Sequence, residues 1–184
     1  HSVENKEGMP DFIRELPEDA AALLVETRAP EAGLLADQVA QIKASIAHLQ
    51  TSKPVEFTTD PEEYAKYWAI RKGLFPAVGA VRMTGTTVII EDVAFPVEQL
   101  ADAVHDLHQI FEKYHYDEAL IFGHALEGNL HFVFTQAFDN DAELARYEGL
   151  MDDVGKMVVE KYDGSLKAEH GTGRNMAPYV EMEW

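Results

Sequence analysis

The sequence predicts an α+β fold, a ferredoxin-like antiparallel or mixed sheet with helices packed on one face. Strand patterns and helix patterns alternate along the chain, apolar residues recur on one face of each helix pattern, and two strand patterns in the second half are joined by a short loop that ends in glycine. A chain of 184 residues, 46% of them hydrophobic, has the length and composition of one compact domain.

The first quarter of the chain is predicted to contain an arm, a strand and a helix. Residues 1–19 are rich in Glu, Asp, Gly and Pro and are expected to form a linker or irregular arm, which leaves residues 20–184 for the domain. The apolar run over residues 20–25 predicts a buried strand. Pro30 occupies a typical first helical position, and the apolar stripe after it predicts a helix that ends near Gln50.

The next segment carries the clearest helix start. A short strand is expected over residues 55–57, and residues 60–63 then combine an N-cap, a first-turn proline and two acids, which predicts a second helix. Glycines and a proline between residues 73 and 85 predict a loop. The β-branched residues 86–94 predict a strand, and a further helix with one apolar face is predicted over residues 96–114.

The last third of the chain is predicted to begin with a hairpin. Residues 119–123 and 129–138 have strand patterns and form its two arms. Asn140 followed by Glu143 is a capping signal that predicts another helix. A last strand is expected over residues 165–168, and the chain is expected to end in a helix.

The composition excludes several classes of function. Acidic residues outnumber basic ones by 33 to 15, and the net charge of −18 argues against a nucleic-acid partner, because phosphate binding depends on clustered Lys and Arg. The absence of Cys excludes cysteine-ligated zinc and iron–sulfur clusters from this segment. A cytoplasmic location is expected, with peripheral association with the inner membrane as the alternative. The missing initiator Met and the abrupt end at Trp184 predict a fragment of a longer polypeptide.

Two histidines at the ends of the predicted hairpin strands are the first candidates for a site. His124 ends one strand and His131 lies near the start of the next, so their side chains are expected to converge. Alternation along the second strand directs His131 away from the core face. Two imidazoles and a carboxylate commonly bind a divalent metal, and Glu169 and Glu127 are the candidate carboxylates. The spacing also fits ordinary strand-end histidines that are hydrogen-bonded to the backbone.

Other polar residues offer rival sites. His105 and His108 are neighbours on a predicted helix, but acids flank them, and a solvated helix face is expected there. Arg71, Arg82 and Arg174 are the notable cations, and a guanidinium can bind a carboxylate through two parallel hydrogen bonds. An ion pair with one of the many acids is the ordinary role for each arginine. Arg71 stands out because it immediately precedes the Gly/Pro segment.

Three separated motifs extend these observations. The chain contains, in order, RKGLFPAVGAVRMTGTTVIIEDVAFP at 71–96, GHALEGNLHF at 123–132 and EHGTGRNMAPYVEMEW at 169–184. Together they resemble the C-terminal domain of FAD-linked oxidases of the vanillyl-alcohol oxidase type. Within that family they resemble the D-lactate, glycolate and D-2-hydroxyglutarate dehydrogenase branch in its large bacterial form. The resemblance covers residues 20–184.

This resemblance implies an α+β cap that covers the flavin of an FAD held mainly by a separate N-terminal domain of the same polypeptide. It implies that a small 2-hydroxyacid is oxidised to a 2-oxo acid by hydride transfer to that FAD, with an electron acceptor that the residues do not identify. The chain is thus expected to be an oxidoreductase fragment that is inactive in isolation. Its ending resembles members that continue into an iron–sulfur electron-transfer domain.

The resemblance also implies roles for individual residues. His124 and His131 match the two metal-ligating histidines of the family, and Glu169 matches its ligating carboxylate, for a divalent ion such as Zn, Mn or Fe. His170 matches the residue proposed as general base in the family. Asn129 matches an asparagine that contacts the substrate.

Arg71 matches a family arginine that binds the substrate carboxylate. The chain departs from the family in two places: Leu126 and Glu127 stand where relatives commonly have Gly–Asp, and Ile90 lies near the position of a lysine that some D-2-hydroxyglutarate enzymes carry. The identity of the hydroxyacid therefore stays open. The alternative from another class is a ferredoxin-like module that binds a small acid or regulates a partner without catalysis.

Overall fold

The computed structural model describes Leu16, residues 20–171 and residues 173–184. The described residues fall into two compact units, one that ends at Gly73 and one that spans Leu74–Trp184. The arm predicted for residues 1–19 lies outside the described residues, apart from Leu16. In the described part of the chain, no helix is both long enough and apolar enough to cross a membrane.

The first unit contains the helix α1 (Ala32–Ile46) and the start of the helix α2 (Pro61–Val81). Helix α1 begins two residues after Pro30 and ends earlier than predicted, and its apolar stripe is half-buried. Helix α2 begins where the capping signal predicted, because the Asp60 carboxylate accepts a hydrogen bond from the backbone N–H of Glu62 at 2.9 Å.

Two strands predicted for the first unit were wrong. Residues 20–25 and 55–57 have no regular secondary structure, and Leu23 is 77% exposed. A strand is stable only when a neighbouring strand binds its backbone N–H and C=O groups. The strand pairings among the described residues involve neither segment, so these two runs lack the partner that a strand needs.

The loop predicted over residues 73–85 was also wrong for most of its length. Helix α2 continues through Gly73 and Pro76 to Val81, and the chain turns only at Gly85, whose φ is 93°. A glycine weakens a helix by about 1 kcal/mol and a proline removes one hydrogen bond, but neither forbids a long helix. The helix formers around Gly73 and Pro76 therefore outweigh these two residues.

The second unit is built on a three-stranded antiparallel sheet in the order β1-β3-β2. The strands are β1 (Thr86–Ala94), β2 (Leu120–His124) and β3 (Asn129–Ala137). Helix α3 (Leu100–Lys113) connects β1 to β2, and helix α4 (Asp141–Lys156) follows β3. The predicted α+β class, the hairpin of β2 and β3, and the extent of β1 are confirmed.

The core lies between one face of this sheet and the two helices. Leu130, Phe132 and Phe134 project from β3 on that face and are at most 5% exposed. They belong to one buried cluster that also contains, from α3 and α4, Leu107, Phe111, Leu150, Met151 and Val154. Helix α4 is capped as predicted, since the Asn140 side chain accepts a hydrogen bond from Glu143 N–H at 3.0 Å.

The strand predicted over residues 165–168 is reduced to a single bridge. Ser165 exchanges two 2.9 Å backbone hydrogen bonds with Ala94, at the outer edge of β1. The next two N–H groups are engaged elsewhere, since that of Leu166 donates to the Glu183 carboxylate at 2.8 Å and that of Lys167 donates to Oγ of Ser165 at 3.2 Å. Those of Glu169 and His170 then bind the side chain of Asp92. The chain ends in short helical turns as expected, including α5 (Gly173–Met176) and α6 (Val180–Glu183).

Phe132 lies at the centre of the core and is completely buried, with its ring 5.8 Å from that of Phe111. We expect Phe132→Ala to lower the free energy of unfolding by about 3–5 kcal/mol, because it removes buried apolar surface and leaves a cavity. Urea denaturation measures this loss. Phe138→Ala, at a ring that is 49% exposed, is the matched control and should lose far less. Equal losses for both variants would contradict the placement of the core.

Glu91 is a buried acid on the core face of β1, opposite Phe132 in the strand register. Its carboxylate accepts a hydrogen bond from the Asn175 side chain. Burial raises the pKa of Glu91 above its ordinary value, although the bond from Asn175 opposes the shift. The folded protein therefore binds this proton more tightly than the unfolded chain does. The contribution of Glu91 to stability is greatest in acid and declines as the pH rises through the raised pKa.

We expect Glu91→Gln to raise the free energy of unfolding near pH 7, since the amide keeps an acceptor for Asn175 and carries no charge to bury. The gain over the wild type should shrink as the pH falls toward 4.5, the ordinary pKa of a glutamate. Denaturation at a series of pH values measures the difference. Glu98→Gln, at an exposed residue, controls for the loss of one negative charge. A difference that is constant with pH would refute the expectation.

Candidate metal centre

The strand register places one row of side chains across the sheet, on the face opposite to the core. Asp92 of β1 pairs with His131 of β3, and His131 in turn pairs with Phe122 of β2. Because residues that pair directly project to the same side, the three side chains are neighbours. His131 is only 3% exposed, so it points into a site and not into open solvent.

His124 reaches the same site from the end of the hairpin. It pairs with Asn129, and the connection between the strands is a 3₁₀ turn over Ala125–Glu127 followed by Gly128. Gly128 has a φ of 65°, and a Cβ there would lie 2.0 Å from the carbonyl oxygen of Phe95. Only glycine fits this position, and the resulting turn brings the His124 and His131 rings to a centroid distance of 5.6 Å.

Glu169 completes the cluster from the segment after the Ser165 bridge. Its Oε1 atom lies 2.8 Å from Nε2 of His131 and 3.3 Å from Nε2 of His124. The structure therefore brings together the two histidines and the carboxylate that the sequence suggested. Glu127, the competing carboxylate, is exposed on the 3₁₀ turn and belongs to none of the potential ligand groups found among the described residues.

The geometry of this triad fits a divalent metal. The three ligand atoms lie within 4.8 Å of one another. Ligands at metal distances of about 2.0–2.2 Å in tetrahedral geometry are separated by roughly 3.4 Å, which matches the 3.3 Å between Glu169 and His124. The 2.8 Å between Glu169 and His131 is the length of a direct hydrogen bond. Burial lowers the pKa of His131, and the nearby His170 lowers it further. His131 is thus held in the neutral form that a metal requires. Its Nδ1 atom is buried without a hydrogen-bond partner among the described residues.

His170 lies beside the triad. Its ring stacks on that of His131, with centroids 4.7 Å apart and planes inclined by 14°. Its Nε2 atom is 3.7 Å from Oε1 of Glu169, and its Nδ1 atom is 3.9 Å from Oδ1 of Asp92. Asp92, His131 and His170 form a second group that could hold a metal, and it shares His131 with the first. An imidazole in this place can accept a proton from a molecule bound at the triad.

The other predicted substrate residues are placed as follows. Asn129 is buried, its amide donates to the Val93 carbonyl at 3.5 Å, and its Oδ1 atom has no partner among the described residues. Arg71 lies half-buried on α2, in the unit that ends at Gly73, and its role toward a substrate stays a prediction. Arg82 is exposed and donates to the Thr86 carbonyl, and Arg174 is exposed on α5. The structure assigns neither to the triad.

The sequence did not suggest Asp92. Its carboxylate is 1% exposed and contacts the backbone that carries Glu169 and His170. One signal was present: Glu91 and Asp92 are adjacent acids inside an otherwise apolar strand, so one of them had to face the core and the other the opposite side. Two consecutive charges in a strand that is buried on both faces indicate groups with a specific role.

Comparison with known proteins supports the same reading of the motifs. The chain matches the family described as FAD linked oxidases, C-terminal domain, over residues 1–184. It is 32% identical to the glycolate oxidase subunit GlcD of Bacillus subtilis over 126 residues, which is 68% of this chain and 26% of that protein. It is 29% identical to the D-2-hydroxyglutarate dehydrogenase of Pseudomonas putida over 140 residues, which is 73% of this chain and 14% of that protein.

The glycolate oxidase subunit GlcD of Escherichia coli K12 is 31% identical over 120 residues, 65% of this chain and 23% of that protein. The chain thus spans about a quarter or less of the length of these relatives. The match covers all three motifs, and the resemblance to the glycolate and D-2-hydroxyglutarate branch is confirmed. The chain belongs to the family of FAD linked oxidases, C-terminal domain.

Proposed function

We propose that this chain is the substrate- and metal-binding cap domain of a flavin-dependent dehydrogenase that oxidises a small 2-hydroxyacid to a 2-oxo acid. The observation that carries the proposal is the convergence of His124, His131 and Glu169 within 4.8 Å, with His170 stacked beside them. The relatives named as glycolate oxidase subunits and D-2-hydroxyglutarate dehydrogenases indicate the substrate class. FAD is supplied by an N-terminal domain of the same polypeptide.

The two imidazoles and the carboxylate would hold one divalent ion, Zn, Mn or Fe, in a site with a coordination position open to substrate. Such an ion lowers the pKa of a hydroxyl group that it binds and fixes the orientation of the hydroxyacid. His131 anchors the site because it is buried on the sheet. His124 and Glu169, with side chains 52% and 51% exposed, leave the site accessible.

The residues of this chain remove the hydroxyl proton of the substrate and orient the substrate. His170 accepts the proton of the 2-hydroxyl group, since its ring lies against His131 and its Nε2 atom is near Glu169. The flavin would supply the acceptor for the hydride that C2 loses, so that loss of this hydride and of the hydroxyl proton together would convert the 2-hydroxyacid to the 2-oxo acid. The family resemblance assigns Arg71 to the substrate carboxylate. It also assigns a substrate contact to Asn129, the first residue of β3.

Further features of the whole polypeptide follow from the same family branch. We expect an iron–sulfur domain elsewhere in the polypeptide to carry electrons onward, because the motif at residues 169–184 resembles that of members with such a domain. A cytoplasmic location, with peripheral contact to the inner membrane as the alternative, remains part of the proposal.

Metal binding is the direct test of the triad. We expect the purified chain to bind one divalent ion, and His131→Ala and Glu169→Ala to lose it, because each removes one of three ligands. Equilibrium dialysis followed by elemental analysis measures the stoichiometry. His108→Ala, at an exposed histidine of α3 outside the potential ligand groups found among the described residues, is the matched control and should retain the metal. Stoichiometric metal in both triad variants would end the proposal.

The role of His170 is tested in the complete flavoprotein. We expect His170→Ala to retain the metal and to slow flavin reduction by a 2-hydroxyacid on the order of 10²- to 10⁴-fold, the usual effect of removing a general base. Anaerobic stopped-flow measurement of flavin bleaching gives the rate. An unchanged rate would assign the proton to another group. Binding of a 2-hydroxyacid that is insensitive to chelators would instead favour a non-catalytic acid-binding module.

A further inference from the structure

Asp92 is a buried carboxylate that no part of the proposed reaction uses. It lies next to the end of β1, directly opposite His131 in the strand register, and is 1% exposed. Its Oδ2 atom accepts hydrogen bonds from the backbone N–H of Glu169 at 2.6 Å and of His170 at 2.9 Å. One oxygen of one side chain therefore binds the backbone of both the candidate metal-ligating carboxylate and the candidate base.

These two hydrogen bonds are strong for a physical reason. A carboxylate is costly to remove from water unless donors replace its hydration, and charge-assisted bonds to backbone N–H groups do so efficiently. The other oxygen, Oδ1, faces the ring of His170, with Nδ1 of that ring 3.9 Å away. The backbone N–H groups of the loop stabilise the buried carboxylate of Asp92, and the same hydrogen bonds restrain the loop.

The other contacts of this loop among the described residues hold its start, where the Leu166 N–H donates to the Glu183 carboxylate at 2.8 Å and the Leu166 side chain is buried in the core. Pairing with β1 ends at Ser165, and residues 166–171 form no helix or strand. Gly171 and Gly173 have φ values of 75° and 63°, a conformation that gives the chain freedom to turn immediately after His170. The next side-chain contact with β1 is the bond from Asn175 to Glu91. At residues 169 and 170 themselves, the backbone N–H groups are bound by Asp92.

We propose that Asp92 is a positioning residue of the metal centre, which holds Glu169 and His170 in place through their backbone N–H groups without itself binding the metal. This inference rests on the proposed function in one respect, the use of Glu169 as a metal ligand. Its structural part is independent of that use, because the hydrogen bonds place the loop against the sheet whether or not an ion is bound. The experiment therefore has two readouts.

The first readout is metal affinity, measured on the full chain by competition with a chromogenic chelator and Zn²⁺ as the probe. We expect Asp92→Ala to weaken binding on the order of 10- to 100-fold, the usual effect of losing a group that orients a ligand. Asp92→Asn keeps one acceptor oxygen for the two N–H groups, and its affinity should be closer to that of the wild type. Wild-type affinity in Asp92→Ala, or equal losses in both variants, would overturn the proposal.

The second readout is hydrogen exchange of the Glu169 and His170 amides without metal. We expect both to be protected in the wild type and in Asp92→Asn, and to exchange much faster in Asp92→Ala. Unchanged protection in Asp92→Ala would overturn the proposal. A wild type that protects these amides but binds no metal would support the positioning role and reject the proposed function, so the two failures are distinguishable.

A matched variant distinguishes the positioning role of Asp92 from a general loss of stability. Gln136 is completely buried on β3, and its side chain accepts a hydrogen bond from Tyr116 and donates to the Glu143 carbonyl, on the core face of the sheet. We expect Gln136→Ala to lower the free energy of unfolding while it leaves Zn²⁺ affinity and exchange at residues 169 and 170 close to wild type. Equal effects of Gln136→Ala and Asp92→Ala on Zn²⁺ affinity and on amide exchange would show that Asp92 only stabilises the fold.

Discussion

The alternation of side chains along β3 is the constraint on which both the fold and the candidate site depend. Leu130, Phe132 and Phe134 fill the core on one side of the strand, so His131 must project to the other. A slip of one residue would bury the imidazole in the core and expose three large apolar groups. The free energy that holds the core together therefore also sets the position of the central imidazole, and no separate stabilising interaction is needed to place it.

Alternation along β1 likewise places its two acidic side chains on opposite faces of the sheet. Glu91 and Asp92 are neighbours in the chain and are buried on opposite sides of the strand. A buried carboxylate is tolerated only where donors replace water, and here the donors come from one short segment: Asn175 for Glu91, and the N–H groups of residues 169 and 170 for Asp92. The segment that carries Glu169, the candidate metal ligand, is therefore bound to the sheet on both sides of its glycines.

Elements whose signals are local could be predicted from the sequence within a few residues. The capping residues that begin α2 and α4, the β-branched residues of β1 and the alternation in β3 act within their own segments, and tertiary context leaves them unchanged. The strands expected over residues 20–25 and 165–168 depended on partners far away in the chain, which an apolar run does not identify. The break expected at Pro76 failed because a helix tolerates a locally unfavourable residue when its neighbours favour helix.

The same division between local and distant information applies to the candidate site. The approach of His124 and His131 followed from a hairpin, which is a local motif, whereas spacing alone could not choose between Glu127 and Glu169. The adjacent acids Glu91 and Asp92 in an apolar strand indicate a specific role, but the sequence does not identify the partners of Asp92. It contacts backbone groups 77 and 78 residues away, and a backbone N–H has the same chemistry in every residue except proline. Side chains that bind a ligand form a recognisable pattern of residue types. The residues that position those side chains need not form such a pattern. Only the folded geometry distinguishes a positioning carboxylate, such as that of Asp92, from the many other acids of this chain.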